Sequence, residues 1–276
     1  MSTIIARGQR FRIADSGGRG SAIVFLHGNL MDSTMWDPVI GSLGDYRCLR
    51  FDFRLHGATD DDGLPFTYWD AARDALGILD ALGVPAAHFV GHSQGGFTAL
   101  RAALLAPQRI TSMTLIDSAA DAFPGPALEQ MARIRDGFAA DAVAATGSAV
   151  LDLLLGTDDE AAAHWLARMQ RQPADRLSRA VGVLMGTDSI TDRLAEISTP
   201  TLVVHGSADV PIPPEAGTAL ATALPAAEPF ELLDGAAHTP PVTHPAEVSA
   251  LLHPFLEKNI FGSREQEGHP GRSATI

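Results

Sequence analysis

The chain has 276 residues, 46% of them hydrophobic, which is enough apolar material for one large domain or two small ones with a buried core. Its formal net charge of -13 opposes nucleic acid and anionic membrane surfaces, because phosphate binding calls for clustered Lys and Arg. The single cysteine, Cys48, excludes an internal disulfide and a cysteine-cluster metal site, and the single lysine, Lys258, lies too near the C-terminal end to anchor Schiff-base chemistry or a cofactor.

In chain order, Met1 to Phe11 carries arginines but no apolar stretch long enough for a signal peptide, and no later run approaches a membrane span. A soluble, cytoplasmic protein in a reducing compartment is expected. Short apolar runs recur at Ala22 to Leu26, Cys48 to Phe51, Ala87 to Val90, Met113 to Ile116 and Thr201 to Val204, each suited to a strand buried on both faces. Between them, Trp69 to Leu82 has apolar residues at helical spacing and stops at Gly83, and Gly96 to Leu105 ends before Pro107. Strands alternating with helices predict a doubly wound, mostly parallel α/β sheet. The alternation breaks over 120–193, where Leu128 to Phe138, Ala140 to Leu155, Glu160 to Arg171 and Ala174 to Met185 are four candidate helices. A helical insertion of this kind is most simply a lid over the sheet's carboxyl edge, with 1–119 and 194–258 forming the core. The stretch 259–276, with its glycines among charges, is expected to be mobile.

The chemistry concentrates where strands end. Gly91-His92-Ser93-Gln94-Gly95-Gly96 follows one strand and opens a helix, the context in which a Gly-x-Ser-x-Gly elbow projects its serine hydroxyl outward. His27-Gly28-Asn29 follows the strand at Ala22 to Leu26, from where the N–H of Asn29 is a candidate oxyanion donor, with the N–H of Gln94 at the helix start as the second. Asp209 follows the strand at Thr201 to Val204, and His238 follows the strand near Phe230 to Leu233. The order Ser93, Asp209, His238 puts each residue at the end of a different strand on one edge, where His238 could take the Ser93 proton and Asp209 could hold its tautomer. Asp117 also ends a strand and is the competing acid; Asp209 is preferred because Pro211 and Pro213 stiffen its loop. His92, His244 and His253 are read as structural or surface residues, and no ligand spacing of the His-Glu-x-x-His kind implies a metal.

With these motifs, together with Trp36 and Phe51-Asp52-Phe53-Arg54-Leu55-His56-Gly57, the chain from about Arg10 to Leu256 resembles the lid-bearing α/β-hydrolases. The resemblance implies an eight-stranded, mostly parallel sheet with an antiparallel strand near the N-terminus, helices on both faces, a helical lid after the sixth strand and no cofactor. One departure is Leu55, where the family commonly has glycine, and it bears on the local loop conformation. Ser93 sets the chain apart from dehalogenases and epoxide hydrolases, which use an aspartate. Lys258 is too distant to serve as the lysine of hydroxynitrile lyases, and His92 stands where carbon-carbon bond hydrolases of ring-fission products typically carry asparagine.

The chain is thus similar to small-molecule esterases and to enol-lactonases of the 3-oxoadipate type, and an ester or lactone of a small molecule is the expected substrate. The alternatives are a carbon-carbon bond hydrolase, a cofactor-free perhydrolase and a binding protein on the same fold; homo-oligomerisation is left open. Phe138, Trp165, Met169 and Met185, with Met131, are candidates to line a lid pocket, although the same helical spacing suits the lid's own core. Arg168 and Arg171 could meet a substrate carboxylate or simply be solvated on a helix face.

Overall fold

In the computed structural model, which describes residues 2–266, the chain opens with an antiparallel hairpin of β1 (Ser2–Ala6) and β2 (Gln9–Asp15). β3 (Ala22–Leu26) follows, then a short helix α1 (Asp37–Ile40) and β4 (Arg47–Phe51). Helix α2 (Tyr68–Ala81) begins with a reciprocal capping box between Thr67 and Asp70. It stops at Gly83, whose φ of +64° suits glycine and lets the N–H of Val84 return to the Leu79 carbonyl at 2.9 Å. β5 (Ala87–His92), α3 (Gln94–Leu105) and β6 (Ile110–Ile116) complete the first half of the sheet.

Four helices then interrupt the alternation: α4 (Gly125–Ala139), α5 (Val143–Leu155), α6 (Asp159–Met169) and α7 (Ala174–Met185). The sheet resumes with β7 (Thr201–Gly206), followed by α8 (Pro214–Ala223), β8 (Glu231–Leu233), α9 (Pro240–Thr243) and α10 (Pro245–Gln266). α10 continues through residues 259–266 of the stretch expected to be mobile; a single glycine costs a helix only about 1 kcal/mol, so Gly262 does not end it. The rest of that expected mobile stretch, 267–276, lies outside the described residues. No helix among the described residues is long and apolar enough to cross a membrane.

The eight strands form one open sheet in the order β1-β2-β4-β3-β5-β6-β7-β8. β2 is antiparallel to both its neighbours, and all pairings from β4 to β8 are parallel. Strands buried on both faces need helices on both faces. One face packs under α2, α3 and α8, with Leu79, Leu100 and Leu220 in a single apolar cluster; the other is covered by α1 and α10, with Val39 and Leu252. The parallel register aligns the carboxyl ends: Leu26 pairs with Gly91, His92 with Ile116, Ile116 with Val204, and Gly206 with Leu233. The next residue of each strand therefore emerges on one edge, beneath the inserted helices.

Candidate active site

Ser93 sits between β5 and α3 with φ 51° and ψ -115°, a left-handed conformation that costs a non-glycine residue about 1–3 kcal/mol and has to be enforced by its surroundings. The enforcement is visible. Its N–H donates to the Ile116 carbonyl at 2.9 Å, and its own carbonyl accepts from Gly96 N–H at 2.8 Å and from the Ser118 hydroxyl at 3.0 Å. The turn also needs its glycines: a Cβ on Gly95 would stand 2.1 Å from the Leu26 carbonyl oxygen, and one on Gly91 would stand 2.5 Å from the backbone of Gly95.

His238 reaches the same edge from the loop after β8, and its Nδ1 lies 2.7 Å from Oδ2 of Asp209, which comes from the loop after β7. Oδ1 of Asp209 accepts the N–H of Ile212 at 2.9 Å, and His205 Nε2 lies 3.1 Å from Oδ2 while also donating to the Ile212 carbonyl at 2.8 Å. Burial by itself would raise the pKa of Asp209. The charge of His238 and the hydrogen bonds from His205, His238 and Ile212 N–H outweigh it, so the carboxylate is held below its ordinary range. With Nδ1 engaged by an ionised carboxylate, His238 carries its proton there and leaves Nε2 as a base. His238 and Ser93 line one cavity.

Asp117, the competing acid, is fully buried; its Oδ1 accepts the Gly206 N–H at 2.6 Å, and no hydrogen bond joins it to His238 among the described residues. Burial, reinforced by the charge of Asp209, pushes its pKa well up, so it keeps its proton. His92 is buried rather than superficial. Its Nε2 donates to the His238 carbonyl at 2.6 Å, and burial lowers its pKa to about 3, fixing a neutral ring that holds the His238 backbone. His244 bonds to the Thr243 hydroxyl at 2.8 Å, and His253 to the Ser42 carbonyl at 2.8 Å. Donor atoms of His92, Asp117 and His238, and of Asp117, His205 and Asp209, come within 4.8 Å of one another, but the hydrogen bonds just described already account for most of them.

The two candidate oxyanion donors are placed at adjacent strand ends, β3 and β5. Neither the Asn29 N–H nor the Gln94 N–H donates to another group among the described residues, and Gln94 is the first residue of α3, where the helix dipole favours negative charge. The side chains behind them were not foreseen in the sequence. Asn29 Nδ2 donates to the Ala180 carbonyl in α7 at 3.0 Å, and the Tyr68 hydroxyl donates to Gln94 Oε1 at 3.1 Å. His27 Nε2 accepts the Phe53 N–H at 2.9 Å, tying the β3 end to the turn after β4. His205 was also missed as a neighbour of the acid; its place directly before Gly206 at the end of a buried strand was the available signal.

The cavity at Ser93 has a volume of about 100 Å³ and runs up into the insertion between α4, α5 and α7. Of the candidate pocket residues only Met131 lines it. Phe138, Trp165 and Met169 are buried in an apolar cluster with Leu151, Leu155 and Leu177, and Met185 packs against that cluster. The correction has a simple cause: α5 packs on α6 and α4 on α7, and these pairs need a core of their own. Arg168 donates to Asp32 at 3.0 Å, and Arg171 is exposed, so neither faces Ser93.

The model of a family described as alpha/beta hydrolase fold matches residues 21–245. The chain is 33% identical over 201 residues to the 3-oxoadipate enol-lactonase 1 of Acinetobacter baylyi, covering 68% of this chain and 71% of that one. It is 30% identical over 253 residues to the pimeloyl-[acyl-carrier protein] methyl ester esterase of Methylococcus capsulatus, covering 88% and 97%. Among solved structures, a thermophilic esterase from Thermogutta terrifontis superposes with a TM-score of 0.85 at 24% identity, covering 94% of this chain and 98% of that one. The chain belongs to the alpha/beta hydrolase fold family and is a hydrolase with ester- and lactone-acting relatives.

Proposed function

We propose that the enzyme cleaves an ester or lactone bond of a small molecule by way of an acyl-enzyme on Ser93. The observation that carries this reading is the 2.7 Å contact of His238 Nδ1 with Asp209, on the same cavity as a serine held at φ 51° in a strand-to-helix turn. In the proposed reaction Ser93 Oγ attacks the carbonyl carbon and His238 Nε2 takes the hydroxyl proton. The oxyanion is received by the N–H groups of Asn29 and Gln94. Collapse expels the alcohol oxygen, which takes the proton from His238, and a water activated by the same nitrogen then attacks the acyl carbon and frees Ser93. Asp209 stays ionised throughout and holds the Nδ1 proton. Residues 120–193 act as a lid that shapes the acyl site, and 1–119 with 194–258 form the catalytic core. The names of the relatives support an ester or lactone as the bond cleaved.

A fluorophosphonate probe tests the reading directly. The folded protein should be labelled at Ser93 with loss of p-nitrophenyl acetate hydrolysis, and Ser93→Ala should take no label. Labelling elsewhere, or Ser93→Ala activity within about tenfold of the parent, would remove Ser93 from the mechanism.

A further inference from the structure

Asn29, His92, Ser93 and His238 supply most of the polar lining of the cavity. Away from them its walls are mostly apolar, with Ala127, Met131 and Ile134 from α4, Val150 and Leu154 from α5 and Val181 from α7. Gln130 is the one further polar side chain on the lining, and among the described residues no Asp, Glu, Lys or Arg lines it. The arginines of α4, α6 and α7 lie off the lining, Arg133 being exposed on α4. Arg168 is paired with Asp32, Arg179 with Asp61 and Arg135 with Asp136, while Arg176 donates to the carbonyls of His56 and Thr59.

A carboxylate that enters such a space sheds its water and finds no cation, and one amide does not replace that hydration. An aliphatic chain gains from the same walls.

We propose, resting on the serine-hydrolase reading above, that this enzyme takes esters or lactones whose acyl part is uncharged and apolar, and that it rejects acyl parts ending in a carboxylate. The lid wall contributed by Met131, Ile134, Val150 and Leu154 makes this selection, and Gln130 does not offset it.

Methyl esters put nearly all the substrate on the acyl side, so they test the idea with the protein as it is. kcat/KM is compared for methyl hexanoate, monomethyl adipate and dimethyl adipate at pH 7.5, with Ser93→Ala as the blank. Methyl hexanoate and dimethyl adipate should be turned over at rates within about tenfold of each other, and monomethyl adipate at least about a hundredfold more slowly. Dimethyl adipate is the larger molecule, so rejection of both adipates would mean that size and not charge selects, and would overturn the proposal. Equal turnover of monomethyl adipate and methyl hexanoate would overturn it too. Met131→Lys supplies the missing cation and should narrow the charge discrimination at least about tenfold. Gln130→Arg changes an exposed residue of the same helix and serves if the first variant fails to fold; a folded variant with undiminished discrimination overturns the role given to the wall. Failure of the underlying reading looks different: no Ser93-dependent turnover of any ester, p-nitrophenyl acetate included.

Discussion

Two carboxylates stand at the ends of the adjacent strands β6 and β7, and their surroundings drive them apart. Asp209 is held ionised by His238, His205 and a backbone N–H, whereas Asp117 is buried beside that charge and keeps its proton. On the proposed mechanism only Asp209 orients His238. Asp209→Asn should therefore lose activity by a factor on the order of ten thousand, the size seen when a serine-protease acid is replaced this way, and Asp117→Asn should lose far less. Steady-state kinetics of both folded variants on one ester decide it, and a larger loss in Asp117→Asn would reverse the assignment. Asp117 also predicts a stability effect. Its folded pKa is raised, so above the ordinary carboxylate pKa the folded state binds a proton that the unfolded state has lost. Its contribution therefore falls with rising pH, by about 1.4 kcal/mol per unit until the folded pKa is reached. Asp117→Asn is neutral at every pH and can still accept from Gly206 N–H. Its stability relative to the parent should rise as pH increases from the ordinary carboxylate pKa in urea titrations, and a constant difference would mean that Asp117 is ionised in the folded protein. Ser93, Asp209 and His238 were readable as a set because each is fixed by a local strand-end motif. The tie from Asn29 to Ala180 was not, since it joins positions 151 apart in sequence that only the fold brings together.

The turn after β4 shows an element whose residue and conformation disagree. Leu55 has φ 65° and is 5% exposed, so a leucine occupies the left-handed conformation that favours glycine. The turn is braced from behind by Asp52, which accepts the N–H of Ser33 and of Ala58, each at 2.9 Å. Left-handed backbone costs an L-residue about 1–2 kcal/mol, while removing a buried leucine side chain costs about 2–5 kcal/mol, so burial outweighs strain. Both Leu55→Ala and Leu55→Gly should be destabilised, but in the unusual order with glycine the more stable by about 0.5–1 kcal/mol, because alanine loses the burial and keeps the strain. Urea midpoints of the two variants check the order, and alanine above glycine would mean that the turn relaxes. Legibility at this scale followed burial. β3 and α7 occupy the same residues in sequence and structure because they carry unbroken apolar periodicity. The N-terminal strand β1 was passed over, since it lies at the sheet edge with mostly exposed side chains and two-residue periodicity is weak there. In the insertion the helices were legible, but which of their apolar faces meet each other and which meet the cavity depends on how α4 to α7 pair, and no single helix encodes that.

At the scale of the whole molecule the labour is divided between sheet edge and insertion. Ser93, Asp209 and His238 are held by loops after β5, β7 and β8, whereas most of the apolar lining comes from α4, α5 and α7. The division is not complete, because the insertion is stitched to the core at defined points. Asn29 Nδ2 bonds to Ala180, and Arg176 bonds to the carbonyls of His56 and Thr59. Arg101, with a fully buried side chain, relies on Asp188, whose Oδ1 lies 2.8 Å from its Nη2. Asp188 falls inside 120–193, so exchanging that whole segment for another esterase's lid would leave the Arg101 charge buried without its partner, a loss of about 3–5 kcal/mol. Exchanging 120–186 and keeping Thr187 to Arg193 preserves the pair. The shorter exchange should give a folded protein that labels with fluorophosphonate at Ser93 as the parent does but follows the donor's preference in an acyl-chain series, while the longer one should unfold at lower urea. A folded, labelled chimera with the parent's substrate profile would place specificity on the sheet-edge loops, with Val210 to Ile212 the first residues to change.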